Sequence, residues 1–312
     1  MLKLKTITPY ILILCLACAS SSSSSNPPAE AGGSTEAARE EAVRASLERG
    51  RQVFAAFQKA HPGRFGEIEI RNGDVTVTLD NVRFFWADGR VLPESDLPRR
   101  DEYTAQPFYH YPRHLEPIPE YTPEMKAEMD ERVKHLDEIP PARHSGIFVQ
   151  LWRIHNAASA DRMCRGMKFF RRGIRVHKDL VPVLRHIEAE INTRARTDRE
   201  LARFVKSIRS VSGLYWRKIA RTETLSHHAF GAAVDVVSAN PRRKQTYWLW
   251  MKDRDKAWYT RPLSVRHMPP ESFVEVFEKH GFIWGGKWLF FDTLHFEYRP
   301  DLLILNGFEV VR

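Results

Sequence analysis

The 312-residue chain is long enough for one medium domain with a substantial extension, or for two small domains. Its composition, 43% hydrophobic and 28% charged, is ordinary for a globular protein. The formal net charge of +9 favours anionic surroundings, although a basic secreted protein without an anionic partner would have the same balance. Because no Lys/Arg-rich run contains interleaved aromatic residues, we expect no nucleic-acid partner.

The first residues have the features of an export signal. A short basic region precedes the apolar run Tyr10–Ala17, which is too short to span a membrane and is followed by Cys18 and a row of serines. Leu16-Ala17-Cys18 is similar to a bacterial lipoprotein processing box. We therefore expect residues 1–18 to be the lipoprotein signal, with lipid attached to Cys18. The alternative is an ordinary signal peptide cleaved near Ala19.

The segment that follows the signal predicts a tether. Residues 19–39 are rich in Ser, Pro, Gly and Ala and cannot bury a core, so we expect a flexible connection to an anchored enzyme. Cys164 is the one cysteine beyond the signal, which excludes a disulfide framework. Its apolar and basic surroundings favour a buried residue over a nucleophile.

For residues 40–144 the sequence predicts local structure but does not indicate a function. The apolar spacing predicts a helix over about 40–57. Two alternating segments around Asn72-Gly73 predict a β-hairpin, and 82–86 is consistent with a third strand. Packing on the rest of the chain, recognition of a cell wall and binding of a partner all remain open for this region.

A Pro- and Tyr-rich stretch closes this region. Residues 92–123 predict an extended segment on the surface of another part of the protein. Thr122-Pro123 predicts the start of a helix that runs to about Leu136.

Residues 145–312 predict a separate α+β domain. The expected helices cover about 180–191, a segment capped by Thr197 with Glu200, and 270–280. The expected strands cover 232–237 and 288–298. Because helices precede strands, we expect a mainly antiparallel sheet flanked by helices.

Three side chains of this domain form the donor set of a catalytic zinc site. Such a site usually has three nitrogen or oxygen ligands from the protein and one open position for water. His228, Asp235 and His295 supply that set. Asp292, three residues before His295, is a candidate general base for a metal-bound water. Glu297 shares a strand face with His295 and could orient it.

The same segments resemble a known family. Ser226-x-His228-x-x-Gly231-x-Ala233-x-Asp235 and Asp292-Thr293-Leu294-His295-Phe296-Glu297 are similar to the two motifs of the M15 metallopeptidases, which include D-alanyl-D-alanine carboxypeptidases and L-alanyl-D-glutamate endopeptidases. Ser212–Arg217 resembles the family's upstream motif more weakly. The resemblance covers about 147–301. It implies a hedgehog-like peptidase fold and one zinc ion bound by His228, Asp235 and His295.

The resemblance also implies roles for neighbouring residues. It makes Asp292 the general base, where many members have Glu. It makes Arg217 the arginine that stabilises the oxyanion, with Arg221 as the rival because two inserted residues disturb the alignment. Ser226 is expected to bind substrate. The motif spacing selects His228 over the adjacent His227.

Trp284-Gly285-Gly286-Lys287-Trp288 admits two interpretations. It is either a substrate-lining loop in which Lys287 meets a substrate carboxylate, or a β-bulge with core tryptophans.

These observations together predict a monomeric zinc peptidase of the cell envelope. We expect it to be anchored in a membrane through its N-terminal lipid and to cut peptidoglycan stem peptides at a D-amino acid, as a carboxypeptidase or an endopeptidase. The alternative is a non-catalytic envelope lipoprotein that binds wall peptides.

Overall fold

The computed structural model describes residues 32–135, 141–240 and 242–311. Cys18 and the expected signal peptide lie outside the described residues, so the lipoprotein assignment stays a prediction. Among the helices that are described, none is both long enough and apolar enough to cross a membrane. The chain divides into two units, residues 1–44 and residues 45–312.

Helix α1 spans Gly32–Ala60 and includes the division between the two units. It begins before residue 40, within the segment 19–39 that we expected to be a flexible tether. The expected tether is therefore wrong from Gly32 onward. The sequence from residue 36 to 44, Glu-Ala-Ala-Arg-Glu-Glu-Ala-Val-Arg, consists almost entirely of strong helix formers, which explains the earlier start.

The N-terminal sheet confirms the predicted hairpin and extends it. Its four antiparallel strands follow chain order: β1 (Phe65–Arg71), β2 (Asp74–Leu79), β3 (Val82–Ala87) and β4 (Arg90–Pro93). The β1–β2 turn places Asn72 at a φ of 52° and Gly73 at 83°, left-handed values that these two residue types tolerate best. The short strand β4 was not predicted.

A long irregular segment connects this sheet to the next helix. A distorted 3-10 segment, Glu94–Glu102, precedes an extended stretch. Helix α2 (Pro123–His135) then begins where the sequence predicted, and the Thr122 hydroxyl oxygen accepts a hydrogen bond from the Met125 N–H at 3.3 Å.

Seven further helices are described after residue 141: α3 (Gly146–Trp152), α4 (Ala157–Met163), α5 (Leu180–Arg194), α6 (Arg199–Ser207), α7 (Trp248–Lys252), α8 (Glu271–Lys279) and α9 (Pro300–Leu305). The predicted cap of α6 is wrong by one residue. Asp198, whose carboxylate accepts from the Leu201 N–H at 2.9 Å, caps this helix instead of Thr197.

The strands of this region form a hairpin and a four-stranded sheet. The hairpin pairs β5 (Cys164–Phe169) with β6 (Arg172–His177). The sheet contains β7 (Ile208–Ser212), β8 (Ala233–Ser238), β9 (Phe282–Trp284) and β10 (His295–Tyr298). Its order is β7-β8-β10-β9, and every described pairing is antiparallel, which confirms the α+β prediction.

Strand β10 is shorter than predicted. We expected a strand over 288–298, but it covers His295–Tyr298. Gly285–Lys287 form a 3-10 turn, and an irregular loop carries the chain from Trp288 to Leu294.

The N-terminal region and the C-terminal region share one hydrophobic core within residues 45–312. Phe57 of α1 is fully buried, and its ring centroid lies 6.0 Å from that of Phe108 and 6.3 Å from that of Phe148 in α3. Of the roles left open for residues 40–144, packing on the rest of the chain is therefore observed from residue 45 onward.

Candidate metal centre

The antiparallel register brings two of the expected ligands together. His295 of β10 is the direct cross-strand partner of Asp235 of β8. Side chains of directly opposed residues leave the same face of the sheet with their Cβ atoms about 5 Å apart. Two residues that are 60 positions apart in the chain are therefore neighbours because of strand pairing alone.

His228 lies in a 3-10 turn that begins after Ser226, and this turn places it beside Asp235 and His295. The Ser226 hydroxyl oxygen accepts from the His228 N–H at 3.3 Å, and Gly231 reverses the chain at a φ of 60°. A Cβ on Gly231 would lie 2.6 Å from the Cys164 sulfur and 2.6 Å from the backbone nitrogen of His177. Only glycine combines this left-handed conformation with such close packing.

Three ligand atoms converge to form a nearly equilateral triangle. His228 Nε2 lies 3.1 Å from Asp235 Oδ1 and 3.2 Å from His295 Nδ1, and the last two atoms are 3.0 Å apart. Ligands that surround zinc tetrahedrally at 2.0–2.1 Å would be about 3.3 Å apart. The distances between the three atoms are thus slightly shorter than those in a zinc-bound site, and their triangular arrangement matches three corners of a tetrahedron.

The outward-facing nitrogens fix the tautomers of both imidazoles. His228 Nδ1 donates to the Gly213 carbonyl oxygen at 2.6 Å, and His295 Nε2 donates to the Glu297 carboxylate at 3.1 Å. When both imidazoles are neutral, the inward nitrogens carry lone pairs that face each other, an arrangement that a shared cation stabilises. This donor set fits zinc, and Glu297 holds His295 in the orientation that the sequence suggested.

The charges of the cluster favour a cation at its centre. Burial raises the pKa of Asp235. Hydrogen bonds from His228 and His295 have the larger, opposite effect and hold that pKa far below its usual range. Burial lowers the pKa of His295, but Asp235 and Glu297 raise it to about 10. A proton on His295 would compete with a metal ion, so metal affinity should fall as the pH is lowered.

Asp292 lies beside the triangle without belonging to it. Its N–H donates to the Gly285 carbonyl oxygen at 3.0 Å, and its carboxylate accepts from the Leu294 N–H at 3.2 Å. Burial has the largest effect on Asp292 and raises its pKa. The charge of Asp235 also raises this pKa, whereas the charge of His295 lowers it. The net upward shift suits a carboxylate that must accept a proton near neutral pH.

His227 is excluded from the cluster. Its ring is buried 4.7 Å from the ring of Phe148, and burial lowers its pKa to about 4. The structure brings His228, the histidine that the motif spacing selected, to Asp235 and His295.

The two candidate arginines are both close enough to Tyr247 to lower its pKa. Arg217 is exposed, and its guanidinium donates to the Lys218 carbonyl oxygen at 3.3 Å. Tyr247 forms an isolated bridge with Asp292. Burial raises the pKa of Tyr247, the charge of Asp292 adds to this, and the charges of Arg217 and Arg221 oppose it. The choice between Arg217 and Arg221 stays a prediction, as does substrate binding by Ser226, which is 4% exposed.

The predicted role of Lys287 is wrong. Its side chain is 4% exposed, and its ammonium forms an ion pair with Glu278 at 2.6 Å. It also donates to the carbonyl oxygens of Pro112 at 3.0 Å and Arg113 at 2.7 Å. Because these contacts use all three ammonium donors, Lys287 joins the 112–113 segment to α8 and cannot meet a substrate carboxylate.

Cys164 is a packing residue, as expected. The thiol is buried against the Gly231 turn, and burial raises its pKa to about 11. A thiol with such a pKa is a poor nucleophile.

Comparison with known families agrees with this site. Residues 220–298 match a family model described as D-alanyl-D-alanine carboxypeptidase. The match includes the three candidate ligands and Asp292, so the site lies within the segment that is similar to this family. Residues 53–108 match a model described as a domain of unknown function. No curated protein and no solved structure matches the chain.

Replacing Glu297 should weaken metal binding. Glu297→Gln keeps the shape of the side chain but removes the negative charge that holds the His295 N–H, so we expect zinc affinity to fall about 10- to 100-fold. Competition with a chromophoric chelator measures this affinity. The exposed Glu67→Gln is the matched control. An unchanged affinity in Glu297→Gln would show that Glu297 does not support the ligand.

Proposed function

We propose that this protein is a zinc-dependent peptidase that cuts peptidoglycan stem peptides at a D-amino acid. The observation that carries the proposal is the triangle of His228 Nε2, Asp235 Oδ1 and His295 Nδ1, with sides of 3.0–3.2 Å. The family match at residues 220–298 supports the substrate class, because the matching model is described as a D-alanyl-D-alanine carboxypeptidase.

His228, Asp235 and His295 would hold the zinc ion and leave it accessible to substrate or water. Zinc bound there would supply Lewis-acid chemistry, since it makes a water molecule more acidic and withdraws electrons from a carbonyl oxygen. Gly213 and Glu297 hold the two imidazoles in the required orientation. Preorganised ligands of this kind need no rearrangement at the moment of reaction.

Asp292 would carry the proton through the reaction. Its carboxylate would accept the proton of the attacking water and then return it to the nitrogen of the leaving amine. Its burial and raised pKa make it a stronger base than an exposed aspartate. The cationic Arg217, or Arg221 in its place, would stabilise the negative charge that develops on the carbonyl oxygen.

The cell envelope is the compartment in which this substrate occurs. The N-terminal basic and apolar segment with Cys18 supports export and lipid anchoring, and the net charge of +9 suits an anionic wall polymer. An anchored enzyme would act on wall close to its membrane.

The direct test is hydrolysis of defined muropeptides. We expect the purified protein to release D-Ala or to split the stem peptide, and a chelator to abolish this activity until zinc is restored. Mass analysis of the products identifies the bond. Intact peptides after incubation with the zinc-loaded protein would contradict the proposal. Wall binding without turnover would favour the non-catalytic lipoprotein.

Removing the proposed base should separate catalysis from metal binding. In Asp292→Ala the three ligands are unchanged, so we expect turnover to fall at least about 100-fold while zinc remains bound. Elemental analysis of the dialysed variant measures the metal content. Loss of zinc together with activity would instead make Asp292 a ligand or a structural residue.

Lipid attachment at Cys18 predicts where the protein is found in cell fractions. Cys18→Ala should move the protein from the membrane fraction and abolish incorporation of labelled fatty acid. Cys15→Leu, a residue usual at that position of such processing boxes, is the control that should keep both. A membrane-bound, labelled Cys18→Ala protein would exclude this anchor.

A further inference from the structure

A residue of the N-terminal region covers the open edge of the sheet that contains Asp235 and His295. Strand β9 is at the edge of this sheet, so its backbone N–H groups that face away from β10 need partners outside the sheet. The Trp284 N–H donates to the Tyr111 hydroxyl at 2.8 Å, and this hydroxyl donates to the Glu278 carboxylate. Tyr111 is 1% exposed, so its hydroxyl makes both hydrogen bonds in the interior.

Lys287 makes a second connection between the same parts of the chain. Its ammonium lies 4.9 Å from the centroid of the Tyr111 ring and forms the ion pair with Glu278 at 2.6 Å. It also donates to two carbonyl oxygens of the segment 111–113, at 3.0 and 2.7 Å. This segment is therefore joined both to β9 and to the turn Gly285–Lys287 that follows it.

Trp284 connects this contact to the loop that carries Asp292. Its indole N–H donates to the Thr293 carbonyl oxygen at 3.0 Å in a buried hydrogen bond. Its ring packs so closely on Gly286 that a Cβ there would lie 2.1 Å from it. The Gly285 carbonyl oxygen accepts from the Asp292 N–H at 3.0 Å. Both ends of the irregular loop are thus fixed by Trp284 and the residue after it.

The position of Asp292 depends on these contacts more directly than the positions of the metal ligands do. Asp235 and His295 are held opposite each other by the pairing of β8 with β10. Asp292 lies outside these strands, between residues that are anchored to Trp284 and Gly285. A general base must lie within hydrogen-bond reach of the proton that it accepts, and a displacement of about 1 Å can cost about a hundredfold in rate.

We propose that Tyr111 is a positioning residue for Asp292, and that it acts through Trp284 and the turn Gly285–Lys287. This inference rests on the proposed peptidase function, in which Asp292 is the base. Tyr111 lies outside both matched segments, 53–108 and 220–298, so a part of the chain without family resemblance sets the rate of the reaction.

The first test is the kinetics of Tyr111→Phe, which removes the hydroxyl and keeps the ring. With a defined muropeptide as substrate, we expect kcat to fall about tenfold or more, KM to change less than about twofold, and zinc to stay bound. Ser46→Ala is the matched control, because the Ser46 hydroxyl also accepts an N–H in the N-terminal region, from the Trp86 indole at 3.2 Å. Its kcat should stay within about twofold of the wild-type value.

Trp284→Phe tests the route, because it removes the hydrogen bond to Thr293 and keeps an aromatic ring. It should also lower kcat with zinc bound. If Tyr111 acts through Trp284, the double variant loses less than the product of the two separate losses. Separate losses that multiply would show that Tyr111 acts by another route and would overturn the proposal. Should Tyr111→Phe not fold, Trp284→Phe is judged by the same kinetic criteria.

Hydrogen exchange tests the positioning without any substrate. In zinc-loaded Tyr111→Phe we expect the amides of Asp292 and Thr293 to exchange at least about tenfold faster, while those of β2 keep their wild-type rates. Equal acceleration in β2 and in the loop would indicate a general loss of stability and would count against a positioning role.

The outcomes separate this proposal from the proposed function. An unchanged kcat in Tyr111→Phe, a loss confined to KM, or an equal loss in Ser46→Ala overturns the positioning role while the peptidase function stands. If the wild-type protein cuts no peptide, the proposed function fails and hydrogen exchange alone decides. Acceleration confined to the Asp292 loop then supports its positioning by Tyr111, and wild-type rates there overturn it.

Discussion

Three atoms with lone pairs, His228 Nε2, Asp235 Oδ1 and His295 Nδ1, are held 3.0–3.2 Å apart, and this constraint organises the site. Two neutral imidazoles with outward N–H groups would repel each other at this distance unless a cation or a proton lay between their inward nitrogens. The pairing of β8 with β10, the glycine turn at Gly231 and the partners Gly213 and Glu297 all serve to maintain it. In the proposed function, the chemistry of the protein follows from the ion that these atoms would bind.

The N-terminal region is part of the same structure from residue 45 onward. Its helix and sheet share the hydrophobic core of the catalytic region, and Phe57 packs close to Phe148. Its end lies close to the turn that carries His228, because the Arg143 N–H donates to the Thr224 hydroxyl at 3.0 Å. A region whose function cannot be predicted from the sequence therefore contributes to the stability of the C-terminal region.

Local signals in the sequence predicted what depends on local chemistry. The convergence of the candidate metal ligands could be predicted because motif spacing and donor type are properties of short segments. The first hairpin could be predicted because Asn72-Gly73 specifies its turn. The hairpin β5–β6 escaped prediction because Phe170 and Arg171 form its turn at φ values of 45° and 65°, without a glycine or asparagine to mark it. The pairing of Lys287 with Glu278 depends on tertiary packing, which periodicity does not report.

The most direct measurement of the central claim is zinc K-edge X-ray absorption on the loaded protein. We expect one zinc ion per chain, with two imidazole ligands and oxygen donors at about 2.0–2.1 Å. In His228→Ala the signal of one imidazole should disappear. A spectrum without imidazole scattering, or one that His228→Ala leaves unchanged, would contradict the account of this metal centre.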